Sequence, residues 1–397
     1  MGQRFRTKYG HFSADGREYV VTRPDTPRPW VNVICPGEYG TTVSQAGGGY
    51  SWLTHATFNR LTRWEQDLVR DEWGKWIYCR DRDSGRHWSL GWQPVKARPE
   101  RYECRHGIGY TTIVARHRGI ESEYTVFVPP GEPLEIWRVR LTNSSERTRA
   151  IDLVRYREWN LGPAPDTHRE FHRLFIETGY VAPAGALLAT KRLSTIAEHG
   201  RGRPWNVEWP HVAFHAASPR PLAHECDKEG FLGRYGSPAA PAALRRPRLA
   251  GSVGKWLDAI GSLQVAVTLA PGETREVMAH DDALVERAVH RHADATSQLR
   301  VADKEQAEPI VRVHVVVGEQ AQLFGLLGQA LAHRVVQSDD EELAKSQHSH
   351  HERDGEDPRV VASGGLGQDV HQEPERHDAG HLDGREDAVV VVAFDLA

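Results

Sequence analysis

The sequence predicts an all-β protein, a large antiparallel β-sandwich of two sheets, followed by a low-complexity and mostly disordered tail. Apolar and polar residues alternate with period two through much of the first 288 residues. Turn signals such as Pro-Gly and Asn-Ser-Ser separate these runs at short intervals, as in β-sandwiches and barrels. Beyond them aromatic residues almost vanish, since only Phe324 and Phe394 lie in residues 301–397.

The strand predictions follow from this alternation. Each predicted segment is rich in β-branched and aromatic residues, and the segments are 106–127, 134–145, 149–159 and 262–279. The first holds two strands joined at Arg118 and Gly119, and the last holds two strands around a Pro-Gly turn. In the second, Ile136, Val139 and Leu141 alternate with charged residues.

In residues 1–300, helical periodicity is predicted in only two places, part of residues 58–73 and residues 283–296. In the second, Leu284, Val285 and Ala288 fall on one helical face. Asp281 and Asp282 stand just before it, as at a helix start.

The composition of the chain changes between residues 1–300 and residues 301–397. Of the 50 Lys and Arg residues 8 lie in residues 301–397, against 20 of the 54 Asp and Glu residues. That segment therefore has a net charge of -12, whereas residues 1–300 have +8. A segment with few aromatic residues and a high net charge buries too little apolar surface to offset its loss of conformational entropy on folding. We therefore expect residues 289–397 to be mostly disordered, above all residues 352–387.

The chain is expected to be soluble and cytoplasmic, with neither a membrane nor a nucleic-acid partner. No window approaches the ~20 apolar residues of a membrane span, and the N-terminus has no apolar signal core. The four cysteines have no Cys-x-x-Cys spacing, which favours reduced thiols. A net charge of -4 gives no indication of nucleic-acid binding.

Two further sets of residues have structural interpretations that we prefer to chemical ones. The first set is the tail histidines, which could bind zinc or nickel but lack a fixed geometry. They are His348, His350, His351, His371, His377 and His381. Asp281 with Asp282, and Glu121 with Glu123, could be glycosidase acids, but a helix start and one strand face favour surface roles. We therefore predict no metal, no cofactor and no catalytic residue.

Residues 46–50 read AGGGY and raise the question of a phosphate-binding loop. Such a loop needs a preceding strand, a following helix and a Lys-Ser/Thr or GxGxxG frame, which this sequence does not supply. We predict a turn or bulge that lets two backbone segments approach closely.

Aromatic and arginine residues crowd the segment that follows. Its tryptophans are Trp52, Trp64, Trp73, Trp76, Trp88 and Trp92. The candidates for a polar-aromatic rim that contacts carbohydrate or forms an interface are Tyr50, Trp52, Arg60, Arg63 and Trp64. The alternative for any single ring is packing between the two sheets.

Several long stretches occur in a fixed order between about residue 9 and about residue 288. They include YGHFSADGREYVVTRPDTPRPWVNVI, GEYGTTVSQAGGGYSW, NRLTRW, SGRHWSLGWQPV, YECRHGIGYT, PLEIWRVRLTNSS, DTHREFHRLFIET and FLGRYGS. Together they resemble the N-terminal part of glycoside hydrolase family 94, formerly glycosyltransferase family 36. The family holds cellobiose and chitobiose phosphorylases and the phosphorylase-like region of cyclic β-1,2-glucan synthases.

The resemblance implies a β-supersandwich, a helical linker and an (α/α)6 barrel with the active site, assembled as a homodimer. It also implies cleavage of β-linked glucosides or glucans by inorganic phosphate, a co-substrate, with inversion to α-glucose 1-phosphate. A barrel Asp would protonate the leaving oxygen while phosphate attacks the opposite face.

Nothing after residue 288 resembles that linker or barrel, so no catalytic residue carries over. We expect a truncated phosphorylase whose chain is inactive alone, and we hypothesise that the reading frame changes after residue 288. Two alternatives stay open, a free-standing β-glucan-binding module and a structural dimerisation domain without sugar affinity.

Overall fold

A computed structural model describes residues 5–64, 69–71, 74–163, 172–191 and 209–286 of the 397-residue chain. In these ranges the strands are β1 (Gly10–Phe12), β2 (Glu18–Val21), β3 (Val31–Ile34), β4 (Tyr39–Ser44), β5 (Ser51–Leu53), β6 (Arg60–Thr62), β7 (Lys75–Asp81), β8 (His87–Ser89), β9 (Arg101–Gly107), β10 (Tyr110–His117), β11 (Ile120–Phe127), β12 (Glu135–Asn143), β13 (Arg149–Gly162), β14 (Ile176–Val181), β15 (Ala186–Lys191), β16 (His211–Ser218), β17 (Ala223–Asp227), β18 (Gly254–Lys255), β19 (Ala259–Leu269) and β20 (Thr274–Glu286). One α-helix, α1, spans Lys228–Leu232, and 3-10 helices span His172–Phe175 and Ala242–Arg245. This content confirms the predicted all-β class.

The strands form two large sheets. The first has eleven strands in the order β1-β2-β9-β10-β11-β12-β20-β16-β15-β14-β18. The second has nine, in the order β17-β19-β13-β6-β5-β4-β3, with β7 beside β13 and β8 beside β7. Their long pairings, such as β10 with β11 and β13 with β19, are antiparallel. The predicted two-sheet antiparallel sandwich is therefore confirmed.

The two predicted strand pairs behave differently. β10 and β11 form a hairpin whose two-residue turn is Arg118 and Gly119, both with positive φ, at 54° and 75°. A two-residue hairpin needs such backbone angles to match the twist of its strands. β19 and β20 are both present around Pro271 and Gly272, but they belong to different sheets. That turn therefore carries the chain from one layer to the other.

The helix predicted over residues 283–296 is wrong wherever the structure describes it. Its first residues belong to β20, which pairs with β12 on one side and β16 on the other. β12 pairs with residues 274–281 of β20, and residues 284–286 pair with β16 alone, so one row of backbone hydrogen bonds outweighs the local helical periodicity there. Asp281 and Asp282 therefore lie inside a strand and not at a helix start.

The other helix was predicted in part of residues 58–73. The structure has β6 at Arg60–Thr62 and no helix in the residues of this segment that it describes. Residues 65–68 and 72–73 lie outside the described ranges, as does the predicted tail at 289–397 with its histidines. In the ranges that are described, no helix is long and apolar enough to cross a membrane.

The main core lies between the sheets, and β13 shows how it is built. Ile151 and Leu153 belong to this core, whereas Val154 and Tyr156 belong to a second cluster on the outer face of the second sheet. Phe231 of α1 packs into that second cluster. β13 is thus buried on both faces, which a simple alternation of polar and apolar residues does not reveal.

A charged cluster occupies the interior of the sandwich. The Lys75 ammonium donates to both oxygens of Glu135 and to the hydroxyls of Thr41 (2.8 Å) and Ser51 (2.5 Å). The Trp137 indole N–H also donates to Glu135, at 3.0 Å. Since both charged side chains are no more than 1% exposed, their mutual contacts replace the water they lose.

The triple glycine is a close-approach turn, as predicted. Gly49 forms an isolated bridge with Gly74. A Cβ at Gly49 would lie 1.9 Å from the Thr42 carbonyl oxygen, and one at Gly74 would lie 1.7 Å from the Gly49 oxygen. Gly74 also has a φ of +109°. Side chains are excluded here because backbone segments touch, and no helix follows the loop.

Candidate functional site

Four of the five predicted rim residues come together. The Tyr50 ring stacks on Trp64, with centroids 4.8 Å apart and planes at 22°, and lies 5.2 Å from Trp52. The Arg60 guanidinium lies 4.6 Å from the Tyr50 centroid. We call Tyr50, Trp52, Arg60 and Trp64 the aromatic rim.

The rim lies on the outer face of the second sheet. Ser51 of β5 points inward to Lys75, so Trp52, the next residue in the strand, points the opposite way. Trp52 and Arg60 are directly paired across β5 and β6. The five candidates were close in sequence, and this pairing explains why four of them meet.

Most of the rim's binding capacity is already used within the protein. Arg60 donates to the carbonyl oxygens of Ala56 (3.0 and 2.9 Å) and Trp64 (2.9 Å), and only 8% of it is exposed. Burial lowers the pKa of this guanidinium. Trp52 is also 8% exposed. Because these groups contact one another, the geometry favours a packing or interface role.

Arg63 belongs to a different group. Its guanidinium lies 3.0 Å from Glu158 and 3.6 Å from Asp258. Lys228 bridges the same two carboxylates at 2.8 and 2.9 Å, and Arg173 contacts Asp258 at 2.5 Å. We call Arg63, Glu158, Arg173, Lys228 and Asp258 the outer charge cluster.

The outer charge cluster is not suited to acid catalysis. Burial raises the pKa of Asp258, but the charges of Lys228 and Arg173 outweigh burial and hold it below its usual value. A general acid in glycoside cleavage needs a raised pKa, so that it keeps its proton near neutral pH. The cluster can fix strands and order a surface, but it does not present a proton to a leaving group.

Beside this cluster lies a groove of about 680 Å³ that the sequence did not indicate. Lys228 and Asp258 of the cluster contribute to its lining, together with the segment after α1 and residues 256–258. Tyr235 stands in this segment with 97% of its surface exposed. The signal that could have found it is the Gly-Arg-Tyr-Gly sequence at 233–236, where glycines flank an aromatic residue.

The remaining tryptophans of the segment have structural positions. Trp88 is 2% exposed in the main core, and Trp76 is 3% exposed in the second cluster, stacked on Tyr156. Trp92 packs against the main core while half-buried. Trp73 lies outside the described ranges. Packing between the sheets or against them therefore accounts for Trp76, Trp88 and Trp92, the tryptophans of this segment that the structure describes outside the aromatic rim.

The pair Glu121 and Glu123 takes the predicted surface role. Both residues lie on β11 and alternate with buried neighbours. Glu121 pairs with Arg116 at 2.8 Å, and Glu123 pairs with Arg140 at 3.3 Å. All four cysteines are free thiols, of which only Cys35 is exposed.

Comparison with known proteins identifies the family of this sandwich. The model of the glycosyl hydrolase 94 supersandwich domain matches residues 17–294. The match ends six residues beyond the boundary predicted at residue 288.

Three characterised relatives align over the same region. The N,N'-diacetylchitobiose phosphorylase of Vibrio proteolyticus is 32% identical over 67% of this chain and 32% of its own length. The solabiose phosphorylase of Paenibacillus borealis is 34% identical over 67% of this chain and 33% of its own length. The cyclic beta-(1,2)-glucan synthase NdvB of Rhizobium meliloti is 29% identical over 69% of this chain and 9% of its own length. The chain spans about a third of the length of the two phosphorylases.

The family match covers more than half of the chain, and every strand of the two sheets except β1 lies within it. The chain therefore belongs to glycosyl hydrolase family 94 and carries the supersandwich domain of that family at residues 17–294.

Proposed function

We propose that this sandwich is the non-catalytic part of a glycoside phosphorylase that acts on β-linked glucosides or glucans. The observation that carries the proposal is the family match over residues 17–294, which aligns with only about a third of each phosphorylase relative. In this proposal the general-acid Asp and the phosphate site belong to an (α/α)6 barrel outside the matched residues. The sandwich supports that barrel and a homodimer contact.

The charges of the interior cluster and of the outer charge cluster support placing catalysis outside the sandwich. The interior carboxylate Glu135 is fully buried among cations, and the carboxylates of the outer charge cluster are engaged by Arg63, Arg173 and Lys228. The neighbouring cations hold the pKa values of Glu135 and Asp258 below their usual range, so these two carboxylates are poor donors of the proton that the leaving sugar oxygen needs.

We also propose that the aromatic rim is an interface and not a sugar subsite. Arg60 is hydrogen-bonded to backbone carbonyls, and the Tyr50 and Trp64 rings cover one another. Tyr50 and Trp64 are half-buried, and aromatic rings at a partly exposed patch suit contact with another protein surface. A cytoplasmic location is proposed as well, because four cysteines without a disulfide suit a reducing compartment.

For residues 289–397 we propose an origin in a changed reading frame. The loss of aromatic residues and the change in net charge from +8 to -12 support it. Reading the nucleotides after the codon for residue 288 in all frames tests this. A barrel-like open frame close by is expected, and its absence would remove the proposal.

The proposed function is tested by a phosphate-dependent assay for sugar 1-phosphate release. The purified chain is incubated with phosphate and cellobiose, laminaribiose, sophorose or N,N'-diacetylchitobiose, beside an intact phosphorylase as positive control. We expect no release above the enzyme-free rate. Release that depends on both phosphate and this chain would show that the sandwich is not merely the supporting part.

A further inference from the structure

The groove beside the outer charge cluster lies between the segment that follows α1 and residues 256–258. Its volume of about 680 Å³ falls within the range of small-molecule sites. Lys228 on its floor contacts Glu158, so the groove lies on the outer side of the second sheet. It does not include any residue of the aromatic rim.

Large apolar side chains face this groove. Tyr235 is 97% exposed and Leu257 is 78% exposed, and both line it. Trp256 also lines it and packs against the main core. Exposed aromatic and apolar side chains that gather at one groove indicate a binding surface, whereas single exposed residues scattered over a protein surface do not.

The backbone holds the Tyr235 ring in this exposed position. Tyr235 has a φ of +59°, which costs free energy for a residue other than glycine. On one side of it Gly233 has a φ of +83°. On the other side, a Cβ at Gly236 would lie 2.1 Å from the Leu232 carbonyl oxygen. The loop thus has a defined conformation that presents the ring.

Polar groups of both signs line the same space. Glu229 and Arg234 are exposed, while Lys228 and Asp258 on the floor are joined by a 2.9 Å contact. Asp227 caps α1 by accepting from Glu229 N and Gly230 N at 3.0 Å. Since carboxylates and cations nearly balance, the groove does not favour a strongly charged ligand. Hydroxyl groups can pair with both kinds of side chain.

We propose that this groove binds a neutral β-linked gluco-oligosaccharide, with the Tyr235 ring against the apolar face of one sugar unit and Glu229 and Arg234 hydrogen-bonded to hydroxyls. The combination of a flat apolar ring, donors and acceptors matches the chemistry of a sugar, which has C–H faces and hydroxyl edges. The choice of a β-linked glucan rests on the proposed function. The place of the site rests only on the groove.

The test is isothermal titration of the full chain with cellotetraose, laminaritetraose and sophorose in phosphate-free buffer. We expect saturable binding of at least one of them, weakened roughly five- to tenfold by Tyr235→Ala and changed by less than about twofold by Tyr235→Phe. Ile108→Ala, at a residue that is 94% exposed in a different turn, is the matched control and should bind like the wild type. Thermal unfolding verifies that each variant is folded.

Absence of saturable binding, or a Tyr235→Ala variant that binds like the wild type, would overturn the proposal. Sedimentation of the same variants adds one further outcome. If the wild type self-associates and Tyr235→Ala does not, the groove is a contact between copies of this chain and the saccharide site is refuted. Phosphorolysis by the chain would instead refute the proposed function, because titration without phosphate measures binding alone.

Discussion

At the scale of single residues, the buried carboxylate of Glu135 determines the state of the interior charges. Burial alone raises the pKa of Glu135, but the charges of Lys75, Arg157 and Arg155 outweigh burial and hold it below its usual value. Arg157 and Arg155 lie 3.7 and 3.9 Å from it. Removing one member of such a group leaves a charge in the interior that water cannot reach.

We therefore expect Glu135→Gln to lower the free energy of unfolding by about 3–5 kcal/mol. The double variant Lys75→Met/Glu135→Gln should cost less than the sum of the two single variants, because no unpaired ammonium then remains. Urea denaturation of the four proteins measures this coupling. Single variants that each cost less than about 1 kcal/mol would contradict the buried pair.

The glycine contact gives a second expectation at this scale. Gly74→Ala should lower the free energy of unfolding by about 2–5 kcal/mol, since it adds a clash with the Gly49 oxygen to an unfavourable φ. Gly85→Ala is the control, because Gly85 has a φ of +69° but no atom within 4 Å of the added Cβ. It should cost only about 1 kcal/mol. Equal losses in urea denaturation would show that the close approach is absent.

At the scale of elements, the turn between β10 and β11 offers a stabilising change. Arg118 has a φ of 54° there, where asparagine is preferred in front of glycine. Arg118 forms hydrogen bonds through its backbone, with Arg118 N donating to Glu100 and Arg118 O accepting from Arg149. Asparagine preserves both bonds.

Arg118→Asn should therefore raise the free energy of unfolding by about 0.5–1 kcal/mol. Thermal and urea unfolding of the variant beside the wild type measure this change. A loss of stability would mean that the arginine side chain contributes more than the turn conformation costs.

The elements also show what sequence alone could predict. The β10–β11 hairpin was predictable because its turn and both strands are contiguous, with local signals at Arg118 and Gly119. The end of β20 was not, because its strand conformation depends on pairing with β16, which is far away in sequence.

The two candidate sites also differ in whether their residues are close together in the sequence or far apart. The aromatic rim could be predicted because its residues lie within 50–64, on adjacent short strands. The groove could not, since α1 and Asp258 meet Glu158 and Arg63 only after β13, β17 and β19 pair. Period-two patterning assigns strands, but it does not give the order of strands within a sheet.

At the scale of the whole molecule, two buried and two half-buried histidines make the sandwich sensitive to acid. Burial lowers the pKa values of His106 and His224, that of His117 to about 4, and that of His215 well below the ordinary value of 6.5. A histidine whose pKa is lower in the folded state binds its proton first in the unfolded chain. The contribution of these histidines to the free energy of unfolding is fully present above about pH 6.5 and is therefore lost as the pH falls.

We expect the free energy of unfolding to decrease between about pH 6.5 and pH 4, with His117 contributing up to about 3 kcal/mol. His117→Phe keeps a ring beside Trp88, which His117 stacks on at 5.7 Å, and removes this titration. Urea denaturation at stepwise pH values should show a shallower decrease for the variant. Identical pH profiles would contradict the assignment to His117.

The central claim is our proposal that the supersandwich domain at residues 17–294 is the supporting part of a family 94 phosphorylase. The most direct test replaces the aligned region of the Vibrio proteolyticus N,N'-diacetylchitobiose phosphorylase with these residues and measures phosphate-dependent cleavage of N,N'-diacetylchitobiose. Our account predicts a folded chimera that retains phosphorolysis, while this chain alone has none. A chimera that folds but is inactive, or one that cannot fold although this chain does, would contradict it.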